Sequence, residues 1–260
     1  MIPERLLFSY PSVLLQRYIS HYWLSRHNTA AQHMILPDGE VDLVLSINHS
    51  TCQTWVFGTT TSRQDLPLEL GSHYLGIRFR AGQSRHFMTA TASDLTNHHH
   101  PAQGLINFDL TPLAEYMLDQ SIFVKLDMLL LQHLMTLSPR QARIDQAIHS
   151  IQATHGSLNI TNIATQYGQS TRQFERCFLE TVGITAKLFA QIMRFRHASR
   201  LILDGNFTLA QIAAELNYTD QSHMTHEFKR FTQVTPAYLT RHPVVFLQDI
   251  RGASIDTDQE

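Results

Sequence analysis

The chain has 260 residues, 43% hydrophobic and 16% charged, which is a globular composition and excludes a disordered or fibrous chain. Its two cysteines, Cys52 and Cys177, exclude a disulfide framework and a Cys-based zinc finger and fit a reducing compartment. With 20 Lys and Arg against 22 Asp and Glu, the net charge of −2 argues, taken whole, against a nucleic-acid binder, whose domain should be basic.

The start, Met1-Ile-Pro-Glu-Arg-Leu-Leu-Phe, lacks the long apolar run of a secretory signal. Residues 4–80 then read mostly as strands. Val41, Leu43, Leu45 and Ile47 alternate with Glu40, Asp42, Val44 and Ser46, behind the turn Pro37-Asp38-Gly39. Trp55-Val56-Phe57 before Gly58 is a second candidate. Leu75, Ile77 and Phe79, alternating with Tyr74, Gly76 and Arg78, form a third. Short strands separated by turns favour a small sandwich or barrel.

After Gly82 the period changes. Residues 84–91 suit a short helix, and 97–104 read as a loop punctuated by Pro101 and Gly104. Residues 112–137 are helical in pattern, with Leu113, Tyr116, Met117, Phe123, Leu126, Leu130 and Leu134. The most apolar part, 122–137, is interrupted by Lys125, Asp127 and His133, too short and too charged to span a bilayer. The expectation is a soluble cytoplasmic protein without a membrane partner. Ser138-Pro139 marks a domain boundary, and from 140 to 239 only helices and short turns follow.

Dividing the charge changes the first impression. Residues 1–139 hold 8 basic and 11 acidic residues, a net of −3. Residues 140–242 hold 11 basic and 7 acidic, a net of +4, and the tail 243–260 returns to −3. An acidic first half and tail mask a mildly basic helical part. Six of the 16 histidines lie in that part, so its positive charge, and any binding that depends on it, is expected to rise as pH falls toward about 6.

The helical part contains a repeat offset by 49–50 residues. Ile160-Thr-Asn-Ile-Ala-Thr-Gln-Tyr-Gly168 aligns with Leu209-Ala-Gln-Ile-Ala-Ala-Glu-Leu-Asn217, and Phe174 and Phe178 align with Met224 and Phe228. Each copy reads helix–turn–helix. Ser170 with Gln173, and Thr208 with Gln211, have the spacing of a capping box. Gly168 and Asn217 suit the left-handed turn, and Asp220 or Thr219 caps the last long helix. Phe174, Phe178 and Leu179 face in while Thr171, Arg172, Glu175 and Arg176 face out. Met224, Phe228 and Phe231 face in while Gln221, Ser222, Thr225 and His226 face out. Such outward faces enter the DNA major groove, where Arg reads guanine and Gln reads adenine. The alternative is an ordinary solvated face; two copies with matching caps and turns favour DNA. Residues 185–204 form one spacer helix of roughly 30 Å, close to one turn of DNA. Arg194, Arg196, His197 and Arg200 on or near it are candidates for phosphate or for pairing within the protein.

The run Ile212-Ala-Ala-Glu-Leu-Asn-Tyr-Thr-Asp-Gln-Ser-His-Met-Thr-His-Glu-Phe-Lys-Arg-Phe-Thr-Gln-Val-Thr-Pro236 resembles the second helix-turn-helix signature of the AraC/XylS family of bacterial transcription regulators. Ser170-Thr-Arg-Gln-Phe-Glu-Arg-Cys-Phe178 resembles its first recognition helix. Three positions depart from the pattern: Asn217 and Gln233 replace the usual glycines, and Met224 replaces the usual Phe. The resemblance implies two DNA-reading units, promoter DNA and RNA polymerase as partners, and control of transcription, with an activator favoured. Carried over by position, it implies base-facing Thr171, Arg172, Glu175, Arg176, Gln221, Ser222, Thr225 and His226, and phosphate contacts from Lys229 and Arg230.

Leu36-Pro-Asp-Gly39, Val41-Asp-Leu-Val44, Phe57-Gly58 and Gly76-Ile-Arg-Phe-Arg-Ala-Gly82 are similar to the β-domain of some members, which implies a small cupin-like barrel or sandwich that senses a ligand or pairs subunits. Trp23, Trp55, Tyr74 and Arg78 are candidates for an effector pocket; the alternative places both Trp in the core and pairs Arg78 with Asp42. The only His-x-His lies within His98-His99-His100, read as a polar surface loop and not as a metal site. No catalytic triad order, phosphate loop or close carboxylate pair stands out, so no enzyme, metal or cofactor is expected. The expected architecture is α+β: residues 1–110 a β-rich regulatory domain, 111–138 a helical connector and candidate homodimer element, 139–242 an all-α DNA-binding domain, and 243–260 an acidic tail. A small-molecule effector is the first reading. Control by a protein partner is the second, and a cupin-type metalloenzyme the remote third.

Overall fold

The computed structural model describes residues 6–137, 143–158, 163–165 and 170–241. The Ser138-Pro139 boundary, His242, the tail 243–260, and Ile160, Tyr167 and Gly168 of the first helix-turn-helix lie outside the described residues.

Strands β1 (Leu6–Ser9), β2 (Ile19–Ser25), β4 (Val41–Ile47), β5 (Cys52–Phe57), β7 (His73–Phe79) and β8 (His99–Pro101) form one antiparallel sheet in the order β1-β2-β7-β4-β5-β8. Strands β3 (Gln32–Ile35) and β6 (Gln64–Pro67) pair as a separate two-stranded ribbon. Among the described residues the sheet does not close on itself, so it is an open, sandwich-like arrangement and not a sealed barrel.

The alternation of side chains along each strand gives the sheet two unlike faces. Tyr22, Leu24, Leu43, Leu45, Leu75, Ile77 and Phe79 are fully buried on one face. They share a core with Ile122, Leu126 and Leu130 of helix α2 (Ile122–Met135). Asp127 of α2 pins the two layers: Tyr22 Oη donates to its Oδ1 at 2.7 Å and Ser12 N to its Oδ2 at 2.9 Å. The other face, opposite the ribbon, is left partly open.

Three expectations shift. Residues 97–104 are not all loop, because 99–101 add β8 to the edge of β5 through pairs such as Phe57 with His99. The helical stretch 112–137 splits into a 3-10 turn, Thr111–Tyr116, and α2, since Asp119 turns the chain by accepting from Ser121 N at 2.7 Å. Residues 84–91 contain only a 3-10 turn at Ser84–His86, after helix-breaking Gly82, and a four-residue α1 (Ala92–Leu95) follows.

The second half packs α3 (Arg143–Ala153), α4 (Thr171–Val182), α5 (Ala186–Asp204), α6 (Leu209–Glu215), α7 (Gln221–Thr232) and α8 (Pro236–Arg241) around Phe174, Phe178, Phe189, Phe195, Phe228 and Phe231. Among the described residues no helix is long and apolar enough to cross a membrane.

The two halves interlock. Thr59 Oγ1 donates to Val182 O at 2.9 Å, Thr96 Oγ1 to Gly183 O at 2.6 Å, and Arg63 N to Phe231 O at 2.9 Å. Arg85 Nη2 meets both carboxylate oxygens of Asp145 at 2.8 Å. Gly39, at φ +76°, lies so close to Phe189 that an added Cβ would come within 2.5 Å of its ring.

Candidate nucleic-acid interface and cavity of the sheet

Helices α4 and α7 present matched outward faces because their entries are capped alike. Ser170 Oγ accepts from Gln173 N at 3.3 Å, and the Gln173 side chain returns the bond to Ser170 N at 3.3 Å. Thr208 and Gln211 close the same box ahead of α6. Asp220, not Thr219, caps α7, its Oδ1 accepting from His223 N at 2.7 Å. Asn217 takes a positive φ of 56° in the turn before α7, and Gln233 takes 64° after it. Both adopt the left-handed geometry for which glycine is the usual choice.

On α4, Thr171, Arg172, Glu175 and Arg176 are exposed; Arg176 is held only by a 3.9 Å contact to Glu180, a weak pair between two solvated side chains. On α7, Gln221, Ser222 and His226 are exposed and Thr225 is half-buried, its Oγ1 donating back to Gln221 O at 2.9 Å. Lys229 and Arg230 are exposed at the far end of α7, with Arg230 reaching Gln191 Oε1 at 3.4 Å. Leu179, expected to face in, is 38% exposed, because its place on α4 falls between the buried and the solvent faces.

Of the spacer-helix candidates, Arg194, Arg196 and His197 have partners within the protein. Arg194 binds Glu227 Oε2 at 2.9 Å and stacks over Tyr218, whose hydroxyl donates to Glu227 Oε1 at 2.6 Å. Glu227 is 5% exposed, and this carboxylate raises the Arg194 pKa against the cost of burial, while burial and Glu227 push Tyr218 up. The triad ties recognition helix α7 to α5. Sequence reasoning passed over Glu227, since one acidic residue in a polar run carries no signal of burial. Arg196 reaches Asp38 of the β-half at 3.8 Å. His197 stacks on His155 with ring centroids 3.7 Å apart; burial lowers both pKa values, with Arg200 adding to it for His155 and His155 for His197. Burial thus favours the neutral form of both rings in this stacked pair.

The open face of the sheet, with the ribbon above it, encloses a cavity of about 500 Å³ lined by all four pocket candidates, Trp23, Trp55, Tyr74 and Arg78. Cross-strand register sets Trp23, Gly76, Val44 and Trp55 in one row and His21, Arg78, Asp42 and Phe57 in the next. Both Trp are half-buried cavity walls, not closed core. Arg78 does pair with Asp42, at 3.1 and 2.9 Å, and also meets Asp38 at 3.0 Å and Glu40 at 3.8 Å. Burial, then Asp38, pushes the Glu40 carboxyl up to about 7. Burial, then Arg78, lowers His21 to about 3. His99 and His100 stand on β8, not in a loop. Among the described residues no group of three His, Cys, Asp or Glu is placed to hold a metal.

Two family models match the chain: residues 9–101 match a domain of unknown function, DUF6597, and residues 163–242 match a helix-turn-helix domain. The virulence regulon transcriptional activator VirF of Yersinia enterocolitica and the thermoregulatory protein LcrF of Yersinia pestis are each 26% identical over 78 residues, 30% of this chain. The chain thus spans only 29% of the length of those relatives. Among solved structures, the C-terminal domain of AraT from Geobacillus stearothermophilus is 22% identical with a TM-score of 0.37, covering 40% of this chain and 88% of that one. ToxT from Vibrio cholerae is 10% identical with a TM-score of 0.46, covering 92% of this chain and 98% of that one.

Proposed function

We propose that this chain, which carries an AraC-type helix-turn-helix domain across residues 163–242, is a sequence-specific DNA-binding transcription regulator and not an enzyme. The observation that carries the reading is the pair of capped helices, α4 and α7, each with a polar face turned to solvent, complete on α4 and with only Thr225 half-buried on α7. Thr171, Arg172, Glu175 and Arg176 read bases in one major groove, and Gln221, Ser222, Thr225 and His226 in the next. Lys229 and Arg230 hold phosphate. The protein acts in the cytoplasm, as an activator that engages RNA polymerase; the activator reading draws on the relative named a transcriptional activator.

The cavity walled by Trp23, Trp55, Tyr74 and Arg78 receives a small-molecule effector. Its signal passes through Arg78, which shares Asp38 with Arg196 of α5. The exposed apolar side chains of α2 pair two copies of the chain. Control by a protein partner is the second reading, favoured if promoter affinity responds to a co-purifying protein and to no metabolite. Mapping bound DNA across the genome yields the operator. On that operator, Arg176→Ala and His226→Ala each weaken binding by about 1–3 kcal/mol in a gel-shift titration. Unchanged affinity in both variants refutes the base-facing assignment.

A further inference from the structure

The chemistry of the cavity narrows what enters it. Its middle row is a slot. An added Cβ on Gly76 would lie 1.9 Å from Cε2 of Trp23, so the indole rests directly on bare backbone. Strands β7 and β4 separate Trp23 from Trp55, three strand spacings or about 14 Å between their backbones. Val44 floors the space between the two indoles. A slot with indole walls suits a flat ring better than a flexible chain, since aromatic pairs gain from stacked and edge contacts.

The charges at its rim select against anions. The guanidinium groups that line the cavity are Arg26 and Arg78. Arg26 Nε donates to Met117 O at 2.8 Å, and its Nη2 to Asp119 O at 3.0 Å. Arg78 alone meets three carboxylates, Asp38, Glu40 and Asp42. Asp42 lines the cavity and keeps acceptor capacity beyond its two bonds to Arg78. A carboxylate bound in this row would face Asp42, with only Arg78, already met by three carboxylates, beside it; Arg26, which donates to carbonyls alone, stands just past the end of β2, three residues along the chain from Trp23. A ring bearing an ammonium or N–H donor gains Asp42 as acceptor, and the ammonium form also gains the indoles as cation–π partners.

We infer that the cavity takes a flat aromatic molecule without negative charge, its ring between Trp23 and Trp55 and its donor directed to Asp42. This rests on the reading of the cavity as an effector site. The test is calorimetric titration of the full chain with three probes of one ring system: tryptamine, indole and indole-3-acetate. Tryptamine is expected to bind, indole-3-acetate at least tenfold more weakly, and Trp55→Ala to lose at least tenfold for tryptamine. Equal or tighter binding of indole-3-acetate overturns the inference, and so does failure of both tryptamine and indole to bind. The comparison of probes on the unsubstituted chain stands even if Trp55→Ala does not fold. Promoter affinity measured with and without tryptamine is a separate readout. Calorimetric binding with unchanged promoter affinity removes the effector role and leaves the ligand chemistry in place.

Discussion

Gln233 is the residue where local geometry and residue type disagree. Its φ of 64° ends α7 in left-handed backbone, which costs a residue with a Cβ about 1 kcal/mol. Gln233→Gly is therefore expected to raise unfolding free energy by roughly 0.5–1 kcal/mol, read from the urea midpoint. Glu227 works in the opposite sense. Replacing it leaves half-buried Arg194 and the buried Tyr218 hydroxyl without the carboxylate both of them bind. Glu227→Ala should cost about 3 kcal/mol in the same measurement and loosen α7 against α5. The caps at Ser170, Thr208 and Asp220 were legible in the sequence because a cap lies within three residues of its partner. The Glu227 triad was not, because its partners lie 33 and 9 residues away and only packing joins them.

At the scale of elements, α2 is the helix with two apolar faces. Ile122, Leu126 and Leu130 meet the sheet, while Val124, Met128 and Met135 remain 62%, 65% and 86% exposed. That second stripe is the face proposed to pair two copies. Met128→Glu is expected to shift a dimer toward monomer in sedimentation velocity while leaving thermal stability nearly unchanged, as a solvated position should. Strands β4 and β7 were readable from alternation, since each has one face in the core, and β5 from the apolar run Trp55-Val56-Phe57 before Gly58. Strand β8 was not, as His99, His100 and Pro101 are all exposed and a three-residue edge strand leaves no period to detect. The helical run after Pro112 was readable as helix, but its break at Asp119 is held by the Asp119 side chain on Ser121 N and by Arg26, 91 and 93 residues away in sequence, on Met117 O and Asp119 O. The four cavity candidates were found from residue type; the carboxylates around Arg78 came together only through the β4–β7 register and the turn at Asp38.

For the whole molecule, pH acts through histidines held neutral. His21 is 4% exposed, and its pKa near 3 lies far below the unfolded value of 6.5. Above pH 6.5 both states are neutral there and stability is complete. Below it the unfolded chain takes up a proton that the folded chain refuses, so stability falls by about 1.4 kcal/mol per pH unit from this group alone, until pH approaches 3. Urea titrations at pH 7 and pH 5 check it, with a lower midpoint expected at pH 5 and a smaller difference in His21→Gln. One further consequence comes from the carbonyls of Val182, Gly183 and Phe231. These lie at or just beyond the C-terminal ends of α4 and α7, and each receives its donor from the β-half, from Thr59, Thr96 and Arg63. The two helices proposed to read DNA are thus moored to one and the same half of the molecule, so on that proposal a tilt of the sheet would carry both together and change their phase along a duplex.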